Sequence, residues 1–181
     1  MKELSLNILD IAQNSVKAGA AHIDVRLVQT GKWLAITIAD DGCGMSPDFL
    51  ATVTDPFTTT RTTRNVGMGI PLFKLAAEQT GGTLSIVSKQ ADAHDASHGT
   101  TITASFDTAH MDCAPLGDFA STATTLLQGS PEIDWTFTRA VDGKELTLSA
   151  AEMREMLGPE VPLNAPDVLM WAGEYLNQPL G

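Results

Sequence analysis

Apolar positions near the start of the chain recur at helical spacing. Leu4, Ile8, Ile11 and Ala12 share one face, Ser15 and Val16 follow a turn later, and Gly19 is a stop, so residues 4–18 are predicted to form an amphipathic helix. The period then drops to two. Residues 22–29 and 33–39 alternate apolar and polar positions across Thr30-Gly31-Lys32, the pattern of two strands joined by a short hairpin connection. Ser46 is placed to cap a short helix that carries Pro47 at its first position and runs through Val53. Residues 70–80 return to helical spacing and end at Gly81-Gly82, and 83–89 and 99–106 read as two more strands around a polar loop. This order predicts an α+β layer, with helices over one face of a mixed sheet.

The remaining residues carry a second set of signals. A helix is expected near 115–128, from Pro115 to a stop at Gly129. A hairpin follows over 134–141 and 144–149, turned at Asp142-Gly143. Ser149-Ala-Ala-Glu152 is a capping box for a helix that stops at Gly158-Pro159. A last helix over 166–177 places Val168, Trp171, Ala172 and Tyr175 on one stripe, expected to face the core, as are Trp135 and Phe137.

Charge divides the chain at about the same place. The 181 residues carry a net −11, of which residues 1–108 contribute −3 and 109–181 contribute −8. The organisation predicted is therefore a first unit over 1–108 and an acidic extension over 109–181, a small α+β addition of helix, hairpin and helices. The overall acidity disfavours DNA, RNA and anionic membrane as partners. No apolar run approaches the roughly 18 residues of a membrane span. The opening residues lack the pattern of a cleavable export signal, and two cysteines, Cys43 and Cys113, are too few for a disulfide scaffold. A cytoplasmic location is the expectation.

Four short elements carry the chemistry. Asp10, Asn14 and Lys17 lie at i, i+4 and i+7, so a carboxylate, a carboxamide and an ammonium share one face of the first helix. Asp40-Asp41-Gly42-Cys43-Gly44-Met45 follows directly on a strand; by itself it is as readily a simple turn as a site where backbone approaches a ligand and a carboxylate accepts from an exocyclic amine. From Pro56 to Ala77 there is no Asp or Glu, yet Arg61, Arg64 and Lys74 lie within, and Gly67 and Gly69 bring backbone N–H groups to a helix N-terminus, as an anion site requires. Alone, that window also reads as a hydroxyl-rich surface loop. Gly99-Thr100-Thr101 opens a strand. A P-loop is excluded by the absence of GxxxxGK[ST], and Gly67-Met-Gly69-Ile-Pro-Leu72 lacks the third glycine of a dinucleotide fold. His94 and His98, with Asp92 and Asp95, read as a solvated loop in preference to a metal site.

Taken together and in order, these elements resemble the GHKL ATPases, the family of DNA gyrase, the ninety-kilodalton heat-shock chaperones, sensor histidine kinases and the mismatch-repair ATPase. Asp10 to Asn14 is similar to the N box, Asp40 to Gly44 to the first glycine box, Asp55-Pro-Phe-Thr-Thr-Thr60 to the F box, Val66-Gly-Met-Gly69 to the second glycine box, and Gly99-Thr-Thr101 to the last threonine box. The resemblance covers residues 4–106 and implies a Bergerat-type two-layer α/β sandwich that binds ATP and Mg²⁺. It implies Asn14 as the Mg²⁺ ligand, Lys17 as a phosphate contact, and Asp40 as the acceptor from the adenine amino group. Gly42, Gly44, Gly67 and Gly69 would shape the pocket and a lid over about Pro56 to Met68, to which Thr59, Thr60 and Arg61 belong. Thr101, or its neighbour Thr100, would lie beneath the adenine. Asp10 stands where gyrase-type ATPases and anti-sigma serine kinases carry a glutamate general base, and is one methylene shorter.

Two departures bear on function. The second glycine box reads GMGIP, with Pro71 in the first helical turn, where proline is tolerated. Only thirteen residues precede Asn14 and none is a histidine, which argues against cis autophosphorylation of the sensor-kinase kind. The expected function is a stand-alone ATP·Mg²⁺-binding domain, a kinase or ATPase, that phosphorylates or regulates a protein partner and can form a homodimer. The alternative is a non-catalytic ATP/ADP-dependent switch.

Overall fold

The computed structural model describes residues 3–53, 69–92 and 97–180. The predicted amphipathic stripe forms helix α1 (Leu4–Lys17), which buries Leu4, Ile8, Ile11 and Ala12. Strands β1 (His22–Thr30) and β2 (Trp33–Asp40) follow as an antiparallel hairpin, with Val25 opposite Ile38 and Leu27 opposite Ile36. Helix α2 (Pro47–Thr52) is capped by the Ser46 hydroxyl, which accepts from Phe49 N. Helix α3 (Gly69–Glu78) keeps Pro71 buried in its first turn, where the missing N–H costs no intrahelical bond. Strands β3 (Leu84–Lys89) and β4 (Gly99–Asp107) pair antiparallel, and β4 pairs with β2 on its other side.

The sheet does not end at residue 108. Helix α4 (Phe119–Gly129) leads to β5 (Asp134–Val141), which joins β1 in parallel and places Trp135 beside Ile23 and Phe137 beside Val25. Strand β6 (Lys144–Ser149) closes the order β3-β4-β2-β1-β5-β6, one mixed sheet of six strands. Asp142 and Gly143 both take positive φ at the β5–β6 turn, the backbone that a two-residue hairpin needs. Helices α5 (Ala150–Leu157) and α6 (Pro166–Leu176) complete the chain. Helices α1 and α3 lie against strands of the first part, α6 lies against β6, and α4 bridges α1 and α6. The core between these layers runs continuously from Ile8, Ile36 and Phe73 to Trp135, Phe137 and Ala172.

Two expectations for the extension are corrected. Helix α4 begins at Phe119 with Asp118 as its cap, not at Pro115. The carbonyls of Pro115 and Leu116 instead accept from Leu4 N and Ser5 N, each at 2.8 Å, so this segment satisfies N–H groups that the start of α1 leaves without intrahelical partners. Trp135 and Phe137 are fully buried as expected, but Trp171 is 47% exposed and stacks on half-buried Tyr175 at 5.2 Å. Its stripe is split between core, at Val168 and Ala172, and surface. Among the described residues no helix is long and apolar enough to cross a membrane.

Candidate functional site

The site grows from the interruption in the apolar face of α1. Asn14 and Lys17, one turn apart, line a cleft of about 470 Å³, within the usual range of ligand pockets. Asn14 Nδ2 is buried without a hydrogen-bond partner among the described residues. Asp10, a turn earlier, is exposed and stands outside the cleft lining. The N-terminus of α3 closes on this face: a Cβ on Gly69 would lie 3.5 Å from Asp10 Cβ and 3.9 Å from Asn14 Nδ2. That places the positive end of a helix dipole beside the carboxamide.

The far end of the cleft is organised by Asp40 at the end of β2. Ser15 Oγ donates to its Oδ2 at 2.6 Å and Gly42 N donates to its Oδ1 at 2.9 Å. Both oxygens keep lone pairs for a further donor, and the carboxylate cannot swing away without breaking these bonds. Asp41, next in sequence, turns outward and accepts from Ala21 N and His22 N. Partial burial acts to raise its pKa, but those N–H groups outweigh it and hold the carboxyl below its usual value.

The glycine turn is fixed from several sides. Cys43 N donates to Ala18 O at 2.9 Å, Ala91 N donates to Cys43 O at 2.7 Å, and His98 Nδ1 bonds the Gly42 carbonyl. Met45 N donates to Ser88 Oγ at 2.8 Å, and Ser88 Oγ meets Thr100 Oγ1 at 2.7 Å. Gly44 has φ +72°, and a Cβ there would lie 2.0 Å from Lys89 O. No side chain fits.

The structure therefore brings Asn14, Lys17, Asp40 and Gly44 to one cleft, with Gly42 in the turn behind Asp40 and Gly69 at the mouth of α3. It does not bring Thr101. On β4 the side chains alternate, so buried Thr100 faces the cleft beside Ile102 while Thr101 lies on the opposite sheet face, paired with Ala39 and Val87. Thr100 replaces Thr101 in the site for that reason. Thr59, Thr60, Arg61 and Gly67 lie outside the described residues, as do His94 and Asp95. His98 is half-buried against the glycine turn, not solvated. Ser15, Ser88 and His98 are supporting residues that the motifs did not single out; a serine on the apolar stripe of α1 was the visible signal for the first.

The cleft suits a divalent cation held jointly with a ligand. Among the described residues no three His, Cys, Asp or Glu side chains converge. Mg²⁺ needs no such cage: it takes one or two protein oxygens and completes its shell with water and phosphate. Asn14 offers one such oxygen in its carboxamide carbonyl, while its Nδ2, buried without a partner among the described residues and beside a helix N-terminus, is an N–H donor suited to a phosphate oxygen.

Comparison with known proteins bears on the family and the fold. Curated relatives include the DNA mismatch repair protein MutL of Paramagnetospirillum magneticum, 49% identical over 41 residues, 23% of this chain and 7% of that protein. The sensor histidine kinase ZraS of Escherichia coli is 28% identical over 85 residues, 46% of this chain and 18% of that protein. The chain thus spans under a fifth of the length of these relatives. Among solved structures, the Aquifex aeolicus MutL ATPase domain complexed with ADP superposes with a TM-score of 0.51 at 13% identity, over 87% of this chain and 68% of that one, a likeness of fold. Residues 2–110 match the family described as histidine kinase-, DNA gyrase B-, and HSP90-like ATPase, and the chain, with its mixed sheet, helical layer and cleft between α1 and the glycine turn, belongs to that family.

Proposed function

We propose that the cleft binds ATP with Mg²⁺ and that this chain uses the nucleotide to phosphorylate or regulate a protein partner. One observation carries the reading: Asp40, with both oxygens already oriented, and Asn14, whose Nδ2 is buried without a partner among the described residues, line the same cleft. Asp40 accepts from the exocyclic amine of the base. Thr100 and Ile102 form the wall beside it. At the other end the Asn14 carboxamide oxygen would hold the cation, Lys17 would offer its ammonium to a phosphate, and the N-terminal N–H groups of α3 would donate to phosphate oxygens. When bound, Mg²⁺ supplies charge neutralisation across those oxygens. Asp10, adjacent to Gly69, orients a hydroxyl or water for in-line attack.

A second reading rests on a different observation. Asp10 is exposed and outside the cleft lining, and a nucleotide-dependent switch needs the adenine and cation contacts but no base. Incubation with γ-labelled ATP and candidate partner proteins separates the two. Label on protein supports a kinase and released phosphate an ATPase, each abolished by Asp10→Asn. Binding with neither product, unchanged in Asp10→Asn, leaves the switch.

A further inference from the structure

The extension carries an apolar groove that the nucleotide cleft does not use. It lies between α5 and α6, encloses about 440 Å³, and is lined by Met153, Met156, Leu157, Val161, Val168 and Trp171, with Asp167 the one charged lining residue. Met156 is 81% exposed, Trp171 47% and Leu157 40%. Helices α5 and α6 span eight and eleven residues, so the groove matches about three turns of a facing helix, or anchors at i, i+3 or i+4, and i+7. Methionine side chains are unbranched and repack around different apolar partners. Exposed apolar side chains gathered in one groove offer a partner area to bury.

Charge decides what kind of partner fits. Residues 150–181 carry Glu152, Glu155, Glu160, Asp167 and Glu174 against Arg154 alone. All five acids are exposed. Arg154 is already held by the Asp134 carboxylate and the carbonyls of Pro131 and Ile133. The groove is thus an apolar floor flanked by exposed carboxylates, and the bases at its helices are already held, Arg154 as above and Arg139 by the Leu176 and Gln178 carbonyls at the end of α6. An acidic helix or an anionic lipid surface would be repelled.

We infer that the α5–α6 groove docks a basic amphipathic helix of a partner protein, its apolar face on Met156 and Trp171 and its Lys or Arg residues facing the surrounding carboxylates. The site is independent of nucleotide, so it stands or falls separately from the cleft.

The test uses the full chain and a fluorescein-labelled 18-residue peptide with leucine at helical positions i, i+3, i+4 and i+7 and lysine elsewhere, followed by fluorescence anisotropy. Saturable binding is expected, at least tenfold tighter than to a scrambled peptide of the same composition or to the same leucine pattern with glutamate in place of lysine. Met156→Lys weakens binding at least tenfold. Met170→Lys adds the same charge on α6, at an exposed position outside the groove lining, and binds as the parent does. Thermal melts of both variants match the parent. Equal binding of the scrambled peptide, equal losses in the two lysine variants, or no binding overturns the proposal. So does sedimentation showing a dimer that Met156→Lys dissolves, because the groove would then be covered by a second copy.

Discussion

Two of the concavities among the described residues are nearly equal in size and differ in how their walls are held. The cleft of about 470 Å³ between α1 and the glycine turn sets polar groups among apolar walls such as Ile11, Phe49 and Ile70, and Ser15 and Gly42 orient its Asp40 carboxylate. The groove of about 440 Å³ between α5 and α6 contains almost no polar surface and is shaped by methionine, leucine, valine and tryptophan. Geometry in the first is fixed by hydrogen bonds and by a backbone that admits no side chain at Gly44. Geometry in the second is set by packing alone, which tolerates substitution. One is made to select by direction, the other by shape and charge.

The sharpest way to break the comparison is to ask whether the two regions are separate bodies. Trp135 on β5 is fully buried, stacks on Phe137 at 5.5 Å, and lies beside Ile23 of β1. Trp135→Ala is expected to cost about 3–5 kcal/mol, and because β5 and β1 share a sheet, calorimetry should show one transition moving down as a whole. A variant in which the extension melts first and nucleotide binding survives would divide the molecule. Next in size is Gly44→Ala, which meets both a positive φ and the Lys89 carbonyl; a loss of about 3 kcal/mol is expected in urea titration, with nucleotide binding lost as the turn shifts.

Asp40→Asn probes the directional cleft without unfolding it. Removing the charge from an acceptor costs about 1.5–3 kcal/mol of binding, roughly tenfold to a hundredfold weaker ATP in titration calorimetry, at an unchanged melting temperature. Unchanged affinity would sink the assignment of the adenine end.

The smallest effects are electrostatic. Asp41 has its carboxyl held below the usual value by backbone N–H groups that outweigh partial burial. Its contribution is complete above about pH 5 and is lost as pH falls below about 4 through the folded-state value. Asp41→Asn should flatten the acid limb of a melting-temperature profile. Asp24 has the opposite sign: burial raises its pKa, Arg26 acting against this, and its Oδ1 is buried without a partner among the described residues. The folded state then holds the proton more tightly than the unfolded one. Asp24→Asn should raise the melting temperature at pH 7 and change it little near pH 3.

How far the sequence exposed these regions differed between them. Helix α1, the β1–β2 hairpin, the Ser46 and Ser149 caps and the Asp142-Gly143 turn were legible because each is a local pattern within about fifteen residues. The start of α4 was misplaced because Pro115 is used by a partner more than a hundred residues away, the N-terminus of α1. Trp171 was assigned to the core because helical spacing gives a face but not what lies opposite it. The threonine box leaves Thr101 and Thr100 both open because a motif fixes position to within a residue, while strand alternation turns Thr101 to the other side of the sheet.

The order of side chains by itself determined the elements, the polar interruption in α1, the glycine turn after β2 and the split of charge that leaves −8 in the extension. Those are properties of neighbouring residues and of composition. Only the tertiary structure decided that β5 lies parallel to β1, so that the acidic extension continues the sheet that carries the cleft. It alone set Ser15, His98 and Thr100 around the glycine turn and opened an apolar groove between α5 and α6. Parallel pairing and helix–helix gaps depend on contacts between distant residues, and no local period encodes them.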